Sequence, residues 1–212
     1  MTVQWHPDIL NKFLAPGLAS LDKAEIPDLR PDFPQSPHWV ANHFLNNVLR
    51  ASFRSPYRQY AVNFMYRTQA TFRFYHAARD ATLAYVARGR PDSPNAGLYC
   101  EALSNWEATF FNWAIFLDLF RRLNNQDVFA KNDGSTEARA HSLHNVIKHH
   151  AADIQARALT GDDTLPFWMT SDGVRSKTHE LSYRELAQLV RDAATVAEEW
   201  QDVRGFVEGG KK

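Results

Sequence analysis

The residues best equipped for chemistry lie close together in EARAHSLHNVIKHHAADI, residues 137 to 154. Four of the nine histidines (His141, His144, His149 and His150) fall in this stretch, beside Asn145 and Lys148. Imidazoles can ligate a metal, carry a proton or bind a phosphate oxygen near neutral pH. The stretch therefore reads in three ways: as a metal centre, as a nuclease centre, or as the solvated face of a helix. At about 100° per residue, His141, His144, Asn145, Lys148 and His149 share an arc of roughly 140°. Leu143, Val146, Ile147 and His150 take the opposite side. The expectation is an amphipathic helix with an apolar seam and an imidazole-rich strip facing away from it.

A metal would need several ligands converging at about 2 Å. His141 and His144, three residues apart, can supply two, with Glu101, Glu107 or His76 on neighbouring helices as candidates for the rest. Lys148 disfavours this arrangement because a cation repels the ion. The sequence shows neither the Glu-x-x-His pairs of carboxylate di-iron bundles nor His-Glu-x-x-His. Cys100 is the sole cysteine, so neither a disulfide framework nor a Cys-based zinc site is expected, and Cys100 itself reads as a small buried helix residue. With no Gly-rich phosphate loop in view, no cofactor is expected.

The elements that must position these residues follow from composition and pattern. A chain of 212 residues, 44% hydrophobic and 13% aromatic, suits one well-packed domain. The 24 basic residues balance 24 acidic ones, so a bulk electrostatic grip on nucleic acid or membrane is not indicated. No signal-peptide pattern opens the chain and no run of about 18 apolar residues occurs, so the reading is a soluble, cytoplasmic protein with no membrane partner.

Residues 1–35, rich in proline, read as an arm draped over the main body. Residues 36–204 read as a single helical-bundle domain and 205–212 as a flexible tail. Ser36-Pro37, Ser55-Pro56 and Ser93-Pro94 each precede a helical pattern, with serine suited to cap and proline to the first helical position. Helices are expected over about 37–50, 56–88 (stopped by Gly89), 94–123, 135–159 and 183–203. Tyr60, Phe64, Thr68, Thr71, Tyr75 and Ala78 mark the stripe of the second. Tyr99, Leu103, Trp106, Phe110, Trp113 and Leu117 mark that of the third. Ser171-Asp172-Gly173 predicts the turn of a small β-hairpin, and Ser182 with Glu185 a capping box. The fold class is thus all-α: a bundle of four to five helices with a hairpin before the last. Glu107 and Arg67 could form a buried ion pair, though side chains of this kind more often sit at bundle edges.

Three stretches carry a family resemblance: FMYRTQATFRFYHAARDATLAYV, YCEALSNWEATFFN, and LHNVIKHH followed by LPFWMTSDGVRSKTHELSYREL. Over about residues 56 to 203 the order of these parts resembles the HEPN superfamily of helical-bundle proteins, which includes many prokaryotic toxin-type ribonucleases. The last two stretches resemble a bacterial branch in which an Asn-x-x-Lys-His segment precedes a hairpin and a final helix. The family's Arg, four to six residues, then His is matched in form by Arg139-Ala-His-Ser-Leu-His144, with Ala140 where active members often carry a polar residue. The resemblance implies metal-independent RNA cleavage, with His144 as general acid or base and Arg139 stabilising charge on the phosphoryl oxygens. Substrate contacts would come from His141, Asn145, Lys148 and His149. It also implies a homodimer, with RNA and an antitoxin or other protein as partners. Many members lack a working motif and serve as binding or dimerisation modules. Five residues apart on a helix, Arg139 and His144 sit about 140° from each other. They converge only if the first turn is distorted or a partner subunit completes the site.

Overall fold

In a computed structural model, residues 6–48, 55–88, 94–130, 133–156 and 164–201 are described. Six α-helices occur among them: α1 (Pro7–Phe13), α2 (Trp39–His43), α3 (Tyr57–Arg88), α4 (Ala96–Asn124), α5 (Thr136–Gln155) and α6 (Tyr183–Trp200). The protein is mainly helical as expected, with six helices instead of four to five.

The long pair α3 and α4 forms the spine. Its stripes interlock because Phe64, Thr68, Phe72 and Tyr75 on one helix, and Tyr99, Trp106, Phe110 and Trp113 on the other, are all buried. The aromatic stripes of these two helices are therefore core, and Tyr57, Tyr66 and Phe111 are the exposed aromatic residues on them. Asn95, not a serine, caps α4 by accepting the Leu98 N–H. Ser36 heads a short 3-10 turn, and Ser55 Oγ accepts from the Gln59 amide at 3.0 Å. Ser93, Gly89 and the tail 205–212 lie outside the described residues.

The expected helix over 37–50 divides into three pieces: a 3-10 turn (Ser36–His38), α2 and a π turn (Phe44–Val48). Its polar residues close the end of α6. Asn47 Nδ2 donates to the Trp200 carbonyl at 2.9 Å, and Asn46 Nδ2 to that of Gln201 at 2.9 Å. These carbonyls would otherwise have no intrahelical partner.

The N-terminal arm does more than drape. Leu18, Leu29 and Phe33 are buried in the shared core, and the short helix α1 was not anticipated. Tyr85 Oη donates to Leu18 O at 2.6 Å and Tyr75 Oη to Pro27 O at 2.8 Å, fastening the arm along α3.

The expected hairpin is present and gains a strand. β1 (Trp168–Met169) pairs antiparallel with β2 (Gly173–Arg175), and β2 with β3 (Glu180–Ser182). Ser182 ends β3 and caps α6, with the reciprocal Glu185 bond in place. Cys100 is exposed, contrary to expectation. Arg67 donates to Asn112 Oδ1 at 2.9 Å instead of pairing with Glu107. No helix among the described residues is long and apolar enough to cross a membrane.

Candidate functional site

Ser135 starts α5 by accepting the Ala138 N–H. Two small residues, Ala138 and Ala140, then let the helix sink against its neighbours, and Leu143 is buried with them. This seating changes the histidine strip. His141, His144 and Asn145 are half-buried and border α4, and only Lys148 and His149 are exposed. The strip does not face away from the bundle as its helical phase suggested. The cause is the breadth of α4, whose residues Phe111, Ala114, Leu117 and Asp118 continue around the flank of α5.

A cleft of about 490 Å³ lies between α4, α5 and the loop joining them. His141, Ser142 and Asn145 line it from α5, Asp118 and Arg121 from α4, and Asp127, Val128 and Phe129 from the loop. Asn125, in the left-handed conformation at φ 51°, ends α4 and turns the chain back over the groove. The Asn145 amide nitrogen lies 3.2 Å from His141 Nδ1, so the amide donates when His141 carries its proton on Nε2.

Four rings follow one another beside this cleft, and two of them, His141 and Phe129, line it. Phe111 and His144 have centroids 6.1 Å apart, His144 and His141 6.1 Å, and His141 and Phe129 5.6 Å. His144 Nδ1 is buried without a hydrogen-bond partner. Burial, reinforced by nearby His141 and Lys148, holds the His144 imidazolium down to about pKa 4. His141 is lowered by burial and Lys148. Near neutral pH both rings are therefore neutral.

Arg139 belongs to a different contact. Its guanidinium forms an ion pair with Glu185 and donates to Glu180 O at 3.0 Å. Glu185 is itself the capping-box residue of α6, and its carboxyl is held below the usual range, first by Arg139. Arg139 thus ties α5 to the start of α6, while His144 packs against Phe111 and His141. His141 and Asn145 come together in the cleft, His144 joins them through its ring, and Lys148 and His149 lie one turn further along in solvent. The chain matches no family model, no curated protein and no solved structure. Among the described residues no three of His, Cys, Asp or Glu gather to hold a metal ion.

Sequence reasoning missed the α4 and loop contributions. Asp118 pairs with Arg121 at 3.2 Å and Arg122 at 2.9 Å, spacings legible on a helix. Val128 and Phe129 interrupt a polar loop, which was the available signal for a folded-back segment.

The buried imidazoles make stability pH-dependent. Burial also holds His76 down to about 4. Between pH 6.5 and 4 the unfolded chain takes up protons that these folded rings refuse, so their contribution is complete above 6.5 and lost as pH falls through 4. The effect is on the order of 3 kcal/mol for His76, which is almost fully buried, and smaller for His144. Thermal melts from pH 7 to 4 should show a falling Tm, with a shallower fall in His76→Phe. An unchanged slope in that variant would contradict the assignment.

Proposed function

We propose that this protein is a HEPN-like helical module that binds single-stranded RNA along the α4–α5 cleft without cleaving it. The observation that carries this reading is the series of four rings, Phe111, His144, His141 and Phe129, the last two of which line the polar groove. Sequence-tolerant readers of single strands stack successive bases on such rings while cations follow the backbone. Neutral imidazoles offer a ring face at little electrostatic cost, and Phe111 is half in solvent. Exposed Lys148 and His149 supply polar contacts for phosphates beyond the rings. Arg139 argues for binding over catalysis, because its guanidinium is engaged by Glu185 and cannot also neutralise a phosphoryl oxygen. The homodimer and the antitoxin-type partner implied by the resemblance belong to the same proposal.

Anisotropy of a fluorescein-labelled 12-nucleotide single-stranded RNA, titrated with variants of the full chain, tests the residues. Phe111→Ala is expected to weaken binding about tenfold, since stacking contributes about 1–3 kcal/mol per base. Lys148→Ala should weaken it several-fold and reduce the salt slope by roughly 0.7, the loss of one phosphate contact. Arg139→Met should leave affinity within about twofold. Equal affinity in all three variants would reject the cleft as the binding surface.

A further inference from the structure

A second cavity, of about 460 Å³, lies between the N-terminal arm and α3. Its walls are mostly apolar, with Phe33, Pro37 and Phe72 prominent, and no acidic side chain lines it. Two features depart from an ordinary packing defect. His76 lines the cavity, is only 6% exposed, and has neither ring nitrogen hydrogen-bonded. Its nearest acid, Asp28, has Oδ1 at 3.6 Å from Nδ1, too long for a hydrogen bond. Arg73, at the same cavity, is exposed and rests over the Phe74 ring, with no carboxylate partner among the described residues.

Buried polar groups are almost always bonded, so an imidazole with two unbonded nitrogens calls for an explanation. A structural role does not supply one. Arg30, also at the cavity, is fully engaged by Asp28 and Asp80, and the Gln69 side chain by Val40 and Pro37. Those bonds hold the arm to α3, while the buried His76 nitrogens have no hydrogen-bond partner and the Arg73 guanidinium has no carboxylate partner among the described residues. Apolar walls with a few convergent polar groups are the usual make-up of a small-molecule site.

We propose that this cavity binds a flat aromatic acid, its ring packed against the edge-to-face pair Phe33 and Phe72 and its carboxylate shared by Arg73 and His76. The His76 nitrogens are closed to water, and rotation about the soft Cβ–Cγ torsion of the imidazole turns one toward the occupant. Arg73 supplies the charge-assisted bond that selects an anion.

The probe is 2-naphthoate, with naphthalene-2-methanol as its uncharged counterpart, each titrated into the ¹⁵N-labelled full chain and followed by NMR shifts. One 2-naphthoate per chain is expected, with a dissociation constant of about 1 mM or tighter for a ligand of this size. The alcohol should bind about tenfold more weakly, and Arg73→Gln should erase that difference. Arg73 is exposed, so this variant keeps the fold. His76→Phe should weaken 2-naphthoate several-fold while Tm at pH 7 does not fall, because the free protein loses no hydrogen bond at that ring. No saturable shift, equal binding of acid and alcohol, or unchanged affinity in both variants would overturn the proposal.

Discussion

Trp106→Ala is expected to lower the free energy of unfolding by about 3–5 kcal/mol, among the largest effects of any single truncation. Trp106 is fully buried on α4 at the meeting of three helices. Its indole stacks on Tyr183 of α6 with centroids 5.6 Å apart and meets the edge of Tyr75 on α3 at 5.7 Å. Its Nε1–H donates to Thr82 Oγ1 at 3.1 Å. Truncation opens a cavity among rigid rings that cannot collapse into it. Trp106→Phe keeps most of the volume and loses the hydrogen bond, so a smaller loss of about 1–2 kcal/mol is expected. Urea unfolding with an unchanged m-value checks both. A loss below 1 kcal/mol for the alanine variant would mean that the three helices do not depend on this contact.

Gly173→Ala is expected to cost about 3 kcal/mol or more, although it adds one methyl group. Gly173 lies directly opposite Ser182 in the β2–β3 pair. A Cβ there would overlap the Leu181 carbonyl oxygen and come within 2.7 Å of Ser182 Cα. Both obstacles are backbone, so β3 must move away. That movement carries the Ser182 cap of α6, and with it Glu185, the partner of Arg139. The damage should therefore spread beyond the sheet. Amide hydrogen exchange should quicken in the first turn of α6 and in β3, and leave the centre of the α3–α4 pair protected. Native-like exchange across β3 would show that the strands can separate at little cost.

These two sites also show what could be read from the sequence. Trp106 fell on a stripe of helical spacing, and such a stripe specifies a buried face whatever surrounds it. The Ser182–Glu185 capping box is equally local, and it formed. β3 escaped because three residues with one inward side chain, Leu181, are too short to display alternation. α1 escaped because its cap is His6, whose Nδ1 accepts the Asp8 N–H at 3.4 Å, an unusual use of imidazole. For the candidate site, helical phase grouped His141, His144 and Asn145 correctly on one arc. It could not show that α4 would wrap that arc, nor that the loop would return Phe129 to it. Those placements depend on tertiary packing. The Arg139 to His144 spacing was legible too, but the partner of Arg139 lies in α6, 46 residues onward.

The central claim, RNA binding along the α4–α5 cleft and its neighbouring rings without cleavage, is tested most directly on the wild-type chain. The full protein is titrated into a labelled 12-nucleotide single-stranded RNA in EDTA, and the same samples are then run on a denaturing gel. A saturable rise in anisotropy with the RNA still at full length is the predicted result. A ladder of shortened RNA that disappears in His144→Ala, or no binding at low salt, would contradict it.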